Sequence, residues 1–93
     1  MKTKTQPTVT TPKLRVWWMP QIPMEPFTVE VKTIREGKLL LNTLADYDLF
    51  QLKNRIKPDF CNAGGLSVLE DGEWNDWYDD DGNGIDDLEI DDL

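Results

Sequence analysis

The sequence contains no histidine and a single cysteine, and these absences remove most of the usual catalytic chemistry. Histidine is the common general base near neutral pH and the commonest ligand of transition metals. Cys61 cannot form an internal disulfide and has no histidine to activate it, so we interpret it as a small buried hydrophobe. We therefore expect a protein that is not an enzyme and that needs no cofactor.

Long apolar segments are also missing. No stretch of the 93 residues approaches the roughly 20 apolar residues that cross a bilayer. The N-terminus lacks the hydrophobic region of a signal peptide. We therefore expect no membrane insertion and a cytoplasmic location.

Positive charge is absent from the last quarter of the chain. The net charge of −8 combines −12 in residues 70–93 with +4 in residues 1–69. Because affinity for the phosphate backbone comes from clustered Lys and Arg, this balance predicts no direct binding to nucleic acid. The acidic segment instead suits a protein partner with a basic surface.

Hydrophobic periodicity predicts an α+β fold. A period of two indicates strands, helical spacing after the Thr33/Glu36 capping box indicates a helix, and Asp71-Gly72 is a type I′ hairpin turn. The predicted elements are a strand over 13–19, a strand from Phe27 to Lys32, a helix over 34–45, a short second helix from Asp46 or Asp48, and a hairpin of 66–70 with 73–78. These elements predict a mostly antiparallel sheet of about four strands packed against one or two helices.

The ends of the chain are too polar to contribute to that core. We expect residues 1–12 to be a disordered arm, residues 13–78 to form one small globular domain, and residues 79–93 to be a solvated acidic tail.

Four side chains are candidates for binding a partner. Arg15 and Trp17 alternate with the core positions of the first strand, so they share the opposite face. Counting back from the hairpin turn pairs Leu69 with Trp74 on the face away from the core. An exposed Trp–Arg pair is typical of an interaction hot spot, and we expect the guanidinium of Arg15 to lie over the indole ring of Trp17. The alternative is that the helix or the proline-rich segment between the first two strands covers these residues, which are then structural.

The segment after Tyr78 contains a partial calcium-loop motif. Asp79, Asp81, Asn83 and Asp87 occupy ligand positions one, three, five and nine of such a loop. Position twelve, which needs a bidentate Glu, is Ile90, and no helix pair flanks the loop. The alternative is an acidic tail that binds cations weakly and without specificity.

Several segments resemble a family of small bacteriophage proteins labelled superinfection exclusion proteins. The resemblance covers residues 16–78 and rests on the segments 18–23, 44–51, 56–59, 62–66 and 70–74, together with Trp77. It implies that a resident phage uses the protein to stop a second phage from infecting the same cell.

Three functional hypotheses follow from these patterns. The leading one is a phage-encoded cytoplasmic protein that binds and inhibits a component of the host or of a competing phage. The second is a calcium-binding module. The third is a structural or virion-associated protein whose sheet edge or aromatic patch drives self-association.

Overall fold

The computed structural model describes residues 12–57 and 61–93, and these form an α+β fold. The expected N-terminal arm lies outside the described residues except for Pro12. The elements in chain order are β1 (Leu14–Met19), β2 (Phe27–Val31), α1 (Ile34–Lys53), β3 (Ala63–Glu70), β4 (Glu73–Asp76) and two short 3-10 helices, η1 (Ile85–Asp87) and η2 (Ile90–Asp92). The predicted fold class is confirmed.

The sheet has the strand order β2-β1-β3-β4, and every neighbouring pair is antiparallel. Leu69 lies opposite Trp74, as the turn predicts. Asp71 and Gly72 have φ angles of 52° and 82°, which is the left-handed conformation that a type I′ turn requires. Because the turn fixes the register, it also fixes which side chains of β3 and β4 share a face.

The helix is longer than the sequence predicts and is not divided in two. It begins at the predicted capping box, in which the Glu36 backbone N–H donates to the Thr33 hydroxyl at 3.0 Å. It then continues through Asp46 and Asp48 to Lys53. The prediction of a second helix starting there is wrong because Asp48 does not cap a helix; its side chain is buried and points at the sheet. Within the described residues, no helix is both long and apolar enough to cross a membrane.

The core lies between α1 and one face of the sheet. β1 contributes alternate residues to it, as its period of two predicts. Gly37 of α1 lies close to β3, since a Cβ there would be 2.9 Å from a methyl carbon of Leu66. The buried apolar residues are Leu14, Val16, Trp18, Leu41, Leu66, Val68 and Ile85. Cys61, expected to be buried, is exposed because it precedes β3 in the loop after the helix.

The C-terminal segment, residues 79–93, is folded onto the domain, which corrects the expectation of a solvated tail. Ile85 is only 5% exposed and belongs to the core, and Leu93 packs against it. Two bases of α1 hold the segment through its backbone: Arg35 donates to the carbonyl of Ile90 at 3.0 Å, and Lys38 donates to that of Ile85 at 3.1 Å. The isolated apolar residues therefore anchor the segment while most of its carboxylates stay in solvent.

Candidate functional site

The sheet face opposite α1, called here the outer sheet face, carries all four residues predicted to bind a partner. Arg15 and Trp17 alternate with the buried residues of β1. Leu69 and Trp74 form a cross-strand pair of β3 and β4. All four side chains are half-buried, so each keeps part of its surface in solvent. The sequence-predicted residues are thus brought together on one surface that the helix does not cover.

Arg15 contacts an aromatic ring on this face. Its guanidinium carbon lies 4.3 Å from the centre of the Trp74 ring, within the distance of a cation–π interaction. The expected contact of Arg15 with Trp17 is therefore wrong, because the Trp17 indole packs against Gly65 instead; a Cβ at Gly65 would be 2.7 Å from its nitrogen. The Nε of Arg15 is buried and has no hydrogen-bond acceptor among residues 12–57 and 61–93. The Trp74 ring therefore contacts the Arg15 guanidinium, while the Nε–H of that group donates no hydrogen bond to the described residues.

A groove of about 310 Å³ opens beside this face, between β3 and the C-terminal segment. Trp17, Trp77 and Tyr78 supply aromatic surface, and three aspartates, Asp76, Asp86 and Asp87, line the groove as well. No basic side chain lines it among the residues that the structure describes. Sequence reasoning missed the groove because its residues come from separate segments, which meet through an isolated bridge between Tyr78 and Gly84.

The residues of the predicted calcium loop are largely engaged with each other. The Asp79 carboxylate accepts from the backbone N–H groups of Asp81 and Asn83, at 2.9 and 2.8 Å, and from the Asn83 side-chain amide. Asp87 accepts from the Gly84 N–H at 3.0 Å. In the described part of the chain, no group of three or more acidic, Cys or His side chains is placed to hold a metal ion. The calcium hypothesis stays a prediction, and an ion would compete with these donors for Asp79.

The loop around Asp79 should loosen in acid. The hydrogen bond from the Asn83 backbone is the main cause that lowers the pKa of Asp79 below its ordinary value of 3.8. A lowered folded-state pKa means that the charged carboxylate stabilises the fold near neutrality and that this contribution is lost as the pH falls through that pKa. We expect the stability difference between wild type and Asp79→Asn to be constant above about pH 5 and to shrink as the pH falls through the unfolded-state pKa and then the lower folded-state pKa. Thermal unfolding of both proteins as a function of pH measures this stability difference. A difference that does not change with pH would contradict the lowered pKa of Asp79.

A buried polar cluster fastens α1 to the sheet, and sequence reasoning missed it. Asp48 is 2% exposed and its Oδ2 atom accepts from the Trp18 indole N–H at 3.1 Å and from the Asn62 amide at 2.9 Å. Lys57 Nζ lies 3.0 Å from the same oxygen as an ion pair. The cluster joins Trp18 of β1 and Asp48 of α1 to Lys57, which follows the helix, and to Asn62, which precedes β3. It holds β1, and so the outer sheet face, in place.

The described residues define a class of protein: an α+β domain with one α-helix, an aromatic outer sheet face and a folded acidic C-terminal segment. Residues 13–92 match the family model described as superinfection exclusion gene product 17, and the chain belongs to this family. It is 48% identical over 79 residues to the superinfection exclusion protein of Salmonella phage P22, which covers 71% of this chain and 77% of that protein. No solved structure matches the chain. The family match continues beyond residue 78 and includes nearly all of the acidic segment, which corrects the predicted extent of the resemblance.

Proposed function

We propose that this protein excludes a second phage by binding a protein component of the host or of the incoming phage and blocking its action. The family supplies the setting of superinfection exclusion. The observation that supports binding is the outer sheet face, where Arg15, Trp17, Leu69 and Trp74 lie together and partly exposed. We place this interaction in the cytoplasm of the infected cell.

Electrostatics favours a partner with a basic surface. The folded C-terminal segment carries 8 of the 18 acidic residues and no basic residue, and most of its carboxylates remain in solvent. Such a concentration of one charge raises association rates with oppositely charged proteins and disfavours partners of like charge. In this arrangement the aromatic side chains supply the buried contact area, and the acidic segment directs the approach.

Replacing both outer-face tryptophans should abolish exclusion. We expect cells that express the Trp17→Ala/Trp74→Ala variant to lose protection against a superinfecting phage, because truncation of aromatic anchors costs about 2 kcal/mol or more of binding free energy each. Plaque counts on cells that express wild type or variant measure the effect. Affinity capture from infected cells followed by mass spectrometry should show a captured protein that the variant loses.

Two controls distinguish the loss of this binding surface from a general loss of folding. Phe50 is an aromatic residue of α1 that is 55% exposed and distant in sequence from the outer sheet face, so Phe50→Ala removes an exposed ring elsewhere and should keep exclusion. Circular dichroism checks that each variant is folded. Exclusion that survives in a folded Trp17→Ala/Trp74→Ala protein would overturn the proposal.

A further inference from the structure

The groove beside the outer sheet face combines two features that recognise a cation. Its aromatic surface comes from Trp17, Trp77 and Tyr78, and its charge comes from three aspartates, Asp76, Asp86 and Asp87. Indole and phenol rings attract cations through the negative faces of their π-systems, and carboxylates do so by charge. Asp76 and Asp86 are exposed, so both can accept a ligand without losing a buried role.

The floor of the groove is an open strand edge. β4 pairs with residues 67–70 of β3, and among residues 12–57 and 61–93 no further strand flanks residues 63–66 on that side. The Leu66 carbonyl on this edge accepts from the Trp77 N–H at 3.0 Å. Backbone groups of alternate residues in an antiparallel strand point to the same side, so those of Gly64 face the groove. An extended peptide segment can hydrogen-bond to such an edge.

The same sheet already shows how a guanidinium fits its aromatic surface. Arg15 lies 4.3 Å from the centre of the Trp74 ring, on the face that also presents Trp17. A guanidinium is planar, stacks on rings, and carries a fork of N–H donors that matches a carboxylate, whereas an ammonium is a compact and strongly hydrated charge. A groove with rings and carboxylates therefore favours arginine over lysine.

We propose that this groove binds an arginine side chain on an extended segment of a protein partner. The guanidinium stacks against Trp17 and Tyr78 and pairs with Asp76 and Asp86, while the backbone of the segment bonds to the edge at Gly64. This inference rests on the proposed function, because it names the chemistry of the partner that the outer sheet face contacts.

The test uses the full chain and a short probe, the peptide acetyl-Thr-Arg-Thr-amide. Two matched peptides replace the arginine by citrulline, its neutral isostere, or by lysine. Nitrogen–proton correlation spectra should show shifts at the Trp17 indole N–H and at the Gly64 and Gly65 amides on addition of the arginine peptide. We expect the citrulline peptide to bind about tenfold more weakly, and the lysine peptide to be intermediate.

A charge-matched pair of variants tests the site itself. Asp76→Asn/Asp86→Asn should weaken the arginine peptide about fivefold or more. The control Asp91→Asn/Asp92→Asn removes the same charge from exposed positions that do not line the groove, so it should leave the affinity nearly unchanged.

The possible failures are distinguishable. The arginine site would be overturned if the citrulline peptide or the lysine peptide bound as tightly as the arginine peptide. It would also be overturned if Asp76→Asn/Asp86→Asn and Asp91→Asn/Asp92→Asn weakened the arginine peptide equally. None of these results bears on exclusion by the outer sheet face. Trp74 lies on that face but does not line the groove, so the plaque assay with Trp74→Ala alone tests the face separately. A partner that is captured by wild type and equally by Asp76→Asn/Asp86→Asn would also count against the inference.

Discussion

Asp48→Ala should lower the free energy of unfolding by about 3–5 kcal/mol, which is the range for breaking a buried ion pair by removing one partner. The Asp48 carboxylate is 2% exposed and receives the Trp18 indole N–H, the Asn62 amide and the Lys57 ammonium on one oxygen. Its removal leaves a buried ammonium without a counter-charge and two donors without an acceptor. Each of these groups must then be rehydrated or remain unsatisfied, and both cost free energy.

Urea denaturation followed by tryptophan fluorescence measures the loss. The matched control is Asp46→Ala, which removes the same group from an exposed position two residues earlier in α1 and should change stability by no more than about 0.5 kcal/mol. A second variant, Asp48→Leu/Lys57→Met, removes both charges and should recover part of the loss, because apolar replacement of a whole buried pair is often neutral. A loss below about 1 kcal/mol for Asp48→Ala would show that the cluster adds little.

The parts of the fold that local signals determine were predictable from sequence. The period of two in β1, the Thr33 capping box and the Asp71-Gly72 turn each depend on residues close together in the chain. The length of α1 was not predictable in this way. Asp48 favours a helix start by its local chemistry, but in the structure its partners are Trp18, 30 residues away, and Asn62, 14 residues away. Contacts at that separation overrode the local preference.

In the candidate site too, the features that depend on local sequence were predictable and those that depend on long-range contacts were not. The outer sheet face followed from alternation and hairpin register, so its four residues could be named from sequence. The Arg15–Trp74 contact could not, because it depends on how β1 and β4 flank β3 in the sheet. The groove was also hidden, since it exists only after the C-terminal segment folds back beside β3. The acidic composition of residues 79–93 predicts that the segment is solvated. It does not show that Ile85 and Leu93, among its isolated apolar residues, pack against the domain.

Ile85→Ala tests whether that anchoring is real, and we expect it to cost about 2–4 kcal/mol of unfolding free energy. Ile85 is 5% exposed and packs in the same cluster as residues of β1, β3 and α1. Removing its side chain loses the transfer free energy of the buried carbons and leaves a cavity in a small core. A solvated tail would instead show almost no change. Urea denaturation of wild type and variant distinguishes the two.

Ile90→Ala is the control, because it removes the same atoms from a half-buried position outside the core cluster. We expect it to cost less than about 1.5 kcal/mol, since Arg35 holds the backbone carbonyl of residue 90 and not its side chain. Ile85→Ala should also weaken the arginine peptide, because Ile85 positions the adjoining Asp86 and Asp87 at the groove. A loss below about 1 kcal/mol in both variants would mean that the segment is held by its backbone alone, and the buried core would then end with Val68 of β3.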